Sequence, residues 1–213
     1  MQPQGDSEQV QFPSTILPIL GGAAVGSLII LFAAPQWLPD LVDSLLGPDP
    51  KAYWYLSRAS GIVAYVLLWI SVALGLSITS KLARVWPSGP TAVELHQFTG
   101  LLALVFAVFH AVVLLGDTYI QFTIIDLIVP FAGAEYRPLW VGVGQLGFYL
   151  GLLIAGSFYI RKQIGPRSWR LIHYASFGVY LAVTVHGFAA GTDAKTPAML
   201  SLYGVTGGGL YFL

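Results

Sequence analysis

His96, His110, His173 and His186 are the only histidines in the 213 residues, and each lies in a strongly apolar stretch. An imidazole in hydrocarbon loses its hydrogen bonds to water, so a membrane helix carries one where something compensates it. Fourteen positions separate the first two and thirteen the second two. At about 1.5 Å per residue these are spans of about 21 and 20 Å. If both helices run in one direction, His96 lies level with His173 and His110 with His186. Two bis-imidazole sites then sit near opposite faces of a hydrocarbon core about 30 Å thick, a spacing suited to two stacked haems.

Other readings of the histidines are structural packing, pigment ligation and a metal site. A zinc or copper site needs ligands converging within a few ångströms, which these spacings do not give. The angular test is less tidy. At about 100° per residue, His110 falls about 40° from His96, whereas His186 falls about 140° from His173. A bulge, a tilt or ligation from different sides of the helix would reconcile the second pair. Gly100, Ala103, Ala107, Gly178 and Gly187 offer flat surfaces near the histidines, although small residues also serve plain helix packing. Phe106, Phe109, Phe177 and Tyr180 would pack around the macrocycles, or face lipid or core.

The elements that position these residues follow from hydropathy. The chain is 56% hydrophobic and 9% charged, with mean hydropathy +0.73, which predicts an all-α integral membrane protein folding as one unit. Apolar segments at 16–34, 62–79, 98–116, 141–160, 171–190 and 197–213 predict a bundle of six transmembrane helices after a polar tail, residues 1–15. Residue 213 ends a still apolar run, which suggests truncation. The net charge of zero gives nucleic-acid binding no electrostatic basis. With no cysteine, any haem is noncovalent and b-type, and cysteine-ligated clusters are excluded.

Lys81, Arg84, Arg161, Lys162, Arg167 and Arg170 occupy the second and fourth loops. The odd loops dilute Lys51, Arg58, Arg137 and Lys195 with acids at 40, 43, 49, 117, 126, 135 and 193. The positive-inside rule then puts the even loops and both termini in the cytoplasm, in a cell membrane of bacterial inner-membrane type. The third and fifth helices both run outward, and His96 and His173 form the inner site. The stretch from Asp117 to Leu139 holds an apolar run, 122–130, too short to span. It reads as an interfacial or partly re-entrant helix over the outer site, or as an ordinary amphipathic surface helix.

The words Tyr55-Leu-Ser-Arg-Ala-Ser-Gly61, Ser157-Phe-Tyr-Ile-Arg161, Trp169-Arg-Leu-Ile-His173 and His186-Gly-Phe-Ala-Ala-Gly-Thr-Asp193, with His96 and His110, resemble the ferric reductase-like transmembrane domain. That superfamily includes the membrane halves of NADPH oxidases and ferric reductases, and the haem membrane subunit of the bacterial methionine sulfoxide reductase system. The likeness runs from about Tyr53 onward. It implies six helices, two b haems held across helices three and five, and electron flow from a cytoplasmic-side donor to an outer acceptor. Carried over, His96 and His173 hold the inner iron and His110 and His186 the outer. Arg58 matches an arginine that oxidase members use near the outer haem, where its guanidinium would suit a propionate. Arg170 would do the same for the inner haem. Both arginines also fit as interfacial anchors.

Relatives continue into a flavin and nicotinamide domain, and the 213 residues contain no such unit. Gly207-Gly-Gly-Leu210 has no preceding strand, so it is a packing cluster and not a phosphate loop. Gln97 stands where relatives often have a basic residue. The expected function is therefore that of a haem-containing oxidoreductase membrane component. Its donor would be a separate reductase or dehydrogenase, a further part of the protein, or a quinol. The acceptor would be an extracytoplasmic molecule or a larger membrane complex. A quinone-linked cytochrome b is the alternative within redox chemistry, although no Pro-Glu-Trp-Tyr-like motif is present. The alternative of another class is a non-catalytic or pigment-binding membrane subunit. Acid–base catalysis is not expected, since no paired carboxylates or activated nucleophile lie in the membrane segments.

Overall fold

The structure, a computed structural model, describes residue 47 and residues 51–85, 88–133 and 136–213. The polar tail and the segment at 16–34 lie outside the described residues. The rest is helical: α1 (Ala52–Thr79), α2 (Gly89–Val112), α3 (Ile124–Ile128), α4 (Pro138–Tyr159), α5 (Arg161–Ile164), α6 (Pro166–Tyr174), α7 (Ser176–Ala190) and α8 (Pro197–Tyr211). Short 3₁₀ turns at Leu82–Arg84 and Val113–Gly116 follow α1 and α2.

Helix starts follow from local chemistry. Pro90, Pro138, Pro166 and Pro197 lie in the first turns of α2, α4, α6 and α8, where a missing N–H costs nothing. Among the described residues, four stretches are long and apolar enough to cross a membrane: Ala52–Thr79, Gly89–Gly116, Pro138–Tyr159 and Pro166–Ala190. The α8 helix has 15 residues, about 22 Å, which is short of a full hydrocarbon core. Large apolar side chains point outward along the spans, among them Phe98, Val105, Leu153 and Leu181. A lipid solvent accounts for a surface that water would not tolerate.

Small residues let the helices approach. The α1–α2 seam buries Ser57, Ser60, Ser71, Ala92, Thr99 and Ala103. On α4, Gly147 faces Ala182 and Val183 of α7, while Gly151 faces Leu104 of α2. Such stripes drive helix association in lipid, where apolar burial offers no advantage over the tails. Hydrogen bonds from Ser57 to His110 and from Ser71 to His96 make α2 antiparallel to α1. His186 reaching Trp140 makes α7 antiparallel to α4. The histidine-bearing helices α2 and α7 therefore run in parallel. The connections carrying Lys81, Arg84, Arg161 and Lys162 share one end of the bundle, and Asp117 and Asp193 lie at the other.

The predicted span at 171–190 is two helices, α6 and α7, broken at Ala175. There ψ is −10° and the N–H of Ala175 bonds the Ile172 carbonyl three residues back. A tightened turn advances faster than about 100° per residue. It moves His186 round toward the face of His173, the direction that the angular mismatch required.

Between α2 and α4 the chain folds back along α4. Thr123 and Asp126 cap α3 reciprocally. The α3 carbonyls of Asp126 and Leu127 accept Gln145 Nε2–H bonds at 2.7 and 3.0 Å, and Tyr149 O–H donates to Ile128 O. Gln145 and Tyr149 lie seven and eleven residues into α4, about 10 and 16 Å along its axis. The re-entrant form of the predicted interfacial segment fits this depth, with protein donors meeting carbonyls that hydrocarbon would leave bare.

Candidate functional site

Each histidine of α2 is gripped by the same five-residue frame on α1. The Nδ1–H of His110 donates to Ser57 O at 2.7 Å, and Ser57 Oγ returns a bond to His110 O at 3.1 Å. At the other level, His96 Nδ1–H donates to Ser71 O at 2.7 Å, and Ser71 Oγ bonds His96 O at 3.0 Å. A carbonyl can only accept, so the ring nitrogen facing it carries the proton in both cases. One turn beyond each serine stands a glycine that makes room for the ring. A Cβ on Gly61 would meet His110 Nδ1 at 2.9 Å, and one on Gly75 would meet His96 Cε1 at 3.3 Å.

The frame is Ser-x-x-x-Gly, used at 57–61 and again at 71–75. Its fourteen-residue repeat equals that of the histidines it holds, because antiparallel helices of equal rise keep equal spacings in register. Ser57 and Gly61 stand in the word at 55–61 that carries the resemblance, but their repeat at Ser71 and Gly75 has a role that the resemblance does not assign. A third grip comes from α4: His186 Nδ1–H donates to Trp140 O at 2.8 Å, and a Cβ on Gly144 would meet His186 Nδ1 at 2.6 Å.

His173 is held differently. Its ring stacks on Trp169, one turn earlier, at 5.1 Å between centroids and 24° between planes. No hydrogen bond reaches it among the described residues. Thirteen positions beyond Trp140 and Gly144, the spacing of His186 from His173, α4 has Leu153 and Ser157. A buried serine, its hydroxyl donating to Ile154 O, takes the place that a glycine would have.

Across the bundle the rings meet in the pairs that spacing predicted. The centroids of His96 and His173 are 5.8 Å apart with planes at 70°, and those of His110 and His186 are 6.2 Å apart at 80°. Two imidazoles bonded at about 2 Å to one metal between them have centroids roughly 6 Å apart. Three of the four rings keep Nε2 unprotonated as a lone-pair donor, since Nδ1 holds the proton, an arrangement typical of ligating histidines. Among the described residues no three His, Asp or Glu side chains converge on a point. The donor set is thus two nitrogens per site, which suits a macrocycle that brings its own equatorial ligands.

One cavity of about 1240 Å³ runs past both pairs, larger than the roughly 300–1,000 Å³ of ordinary small-ligand sites. Its lining includes Gly100, Ala103, Ala107 and Gly187 of the small residues and Phe177 of the aromatics, but not Gly178, Phe106, Phe109 or Tyr180. Tyr180 instead stacks on Tyr65, whose hydroxyl bonds Thr206 Oγ1 of α8 at 2.6 Å. Arg58 and Arg170 both line the cavity. Arg58 pairs with Asp193, a partner that the sequence reading did not assign to it. Its Nε–H is buried without an acceptor among the described residues, as is Trp169 Nε1–H at the other end. These two orphan donors and the glycine-cleared rings fit a planar group bearing acceptors at its edge.

Residues 60–184, more than half of the chain, match the family described as ferric reductase like transmembrane component. The chain belongs to that family. The match takes in His96, His110 and His173 and stops two residues before His186. No curated protein and no solved structure matches the chain. Membership and the four spans make this a membrane protein of the ferric reductase-like class.

Proposed function

We propose that the chain carries electrons across a membrane through two b-type haems, one held by His96 and His173 and the other by His110 and His186. The observation that carries the reading is the pairing of the rings, with three Nδ1–H groups anchored on backbone carbonyls. When bound, the haems supply one-electron ferric–ferrous cycling. The protein's own work is to aim each Nε2 and to keep the rings from turning. Arg58 and Trp169 would offer N–H donors to propionates, and Arg170 a neighbouring positive charge. The α3 segment, drawn down along α4, covers one end of the cavity.

In this reading the cationic end, with Arg161, Lys162, Arg167 and Arg170, is cytoplasmic and receives electrons from a separate redox partner. The end near Asp117 and Asp193 delivers them outward. The span at 16–34 and α8 would complete a six-helix unit from 16 to 213, with the N-terminus inside. The test is a dithionite-reduced minus oxidised spectrum of the purified chain with a pyridine haemochrome count. Two low-spin b haems per chain are expected, and a folded protein without haem would overturn the proposal. If a quinone-site inhibitor blocks haem reduction by the native donor, the chain is a quinone-linked cytochrome b.

A further inference from the structure

The three anchored histidines and the one unanchored histidine divide the two sites. Resting on the two-haem reading above, we propose that His173 is an exchangeable ligand. The His96–His173 site then takes a small neutral π-acceptor molecule in place of the His173 imidazole, whereas the His110–His186 site stays closed.

Three observations converge on His173. First, among the described residues its ring lacks the Nδ1–H bond to a carbonyl that fixes His96, His110 and His186. Loss of such an outer partner costs a metal–ligand contact about 10–100-fold in affinity. Stacking on Trp169 restrains the tilt of the ring but leaves it free to slide in its plane.

Second, His173 rides on α6, the shorter of the two pieces that make up the Pro166–Ala190 span. The nine-residue α6 starts after Gly165, whose φ of +82° is a conformation open to glycine, and ends at the break at Ala175. His96 and His110 share one continuous helix, and His186 is braced by α4. Third, the α4 frame is not repeated at this level: Ser157 stands where Gly144 stands for His186, and no carbonyl among the described residues accepts from the His173 ring. The cavity continues beside it past Phe158, Trp169 and Tyr174, which leaves room for a displaced imidazole.

The exchange breaks one iron–Nε2 bond and forms one iron–ligand bond. The imidazole leaves neutral and no electron is transferred. Carbon monoxide is the probe, because it binds ferrous iron only where an axial position opens.

The full chain is purified in detergent, its haem is counted, and the dithionite-reduced protein is exposed to carbon monoxide. One carbon monoxide per two haems is expected. The His110→Ala/His186→Ala protein, reduced to the first site, should bind it as the native chain does. The His96→Ala/His173→Ala protein should keep one low-spin haem, proof that it folds, and bind none. Trp169→Ala should bind carbon monoxide at least tenfold faster. Two haems with no carbon monoxide bound, two bound per chain, or binding that survives in His96→Ala/His173→Ala would each overturn the proposal. A native haem count below two fails the underlying two-haem reading instead, and is seen before carbon monoxide is added.

Discussion

The working unit at the scale of single residues is a ring nitrogen, a backbone carbonyl and a missing Cβ. The glycine is the least forgiving of the three. Gly144→Val puts branched carbon where even a Cβ would lie 2.6 Å from His186 Nδ1. It should empty the His110–His186 site and lower the haem count from two to one, with the other haem's spectrum unchanged. Ser57→Ala and Ser71→Ala leave the carbonyl acceptors in place and remove the hydroxyls, which bond His110 O and His96 O and also lie 3.1 and 3.2 Å from the two ring Nδ1 atoms. Each should cost about 1 kcal/mol of stability, read as a lower midpoint in denaturant with two haems retained. Replacing His110 or His186 should remove one haem and leave the other.

Among the elements, α3 shows most clearly how local chemistry and packing share a task. Thr123 Oγ1–H and N–H both donate to the Asp126 carboxylate, at 2.7 and 2.9 Å. These bonds hold the carboxyl below its ordinary value of 3.8. A carboxyl depressed in the folded state contributes stability that is full above the ordinary value and is lost as pH falls through the folded one. Amide protection in 123–129, taken relative to the intrinsic exchange rate at each pH, should therefore be high at pH 6 and fall below about pH 4, and Asp126→Asn should abolish that dependence. Packing supplies the other half through Gln145. Gln145→Leu strands the Asp126 and Leu127 carbonyls and should cost roughly 1–3 kcal/mol, seen as faster proteolysis between α2 and α4.

For the molecule as a whole, parallel α2 and α7 make two levels out of four histidines, and the charges label the ends. If the cationic end faces the cytoplasm, cysteines introduced at 82 and 163 should resist an impermeant thiol reagent in intact cells, and one at 119 should react. The absence of native cysteine makes this a clean measurement. The reverse labelling would invert the proposed direction of electron flow.

Hydropathy and spacing alone determined the membrane class, the four spans later seen and the pairing of His96 with His173 and His110 with His186. Each depends on quantities local to one helix: its length, its rise and the position of a polar residue along it. The repeat of Ser57 and Gly61 at Ser71 and Gly75 was equally present, but it has meaning only against a second helix. Tertiary structure decided the rest. Which carbonyl accepts each Nδ1–H, why Arg58 meets Asp193, and how far α3 descends along α4 all depend on which helices touch. The break at Ala175 is likewise a matter of packing, since no proline or glycine occupies that position, and it turns His186 in the direction of His110. A helix's own sequence sets the height of a side chain, whereas its neighbours set the direction in which that side chain finds a partner.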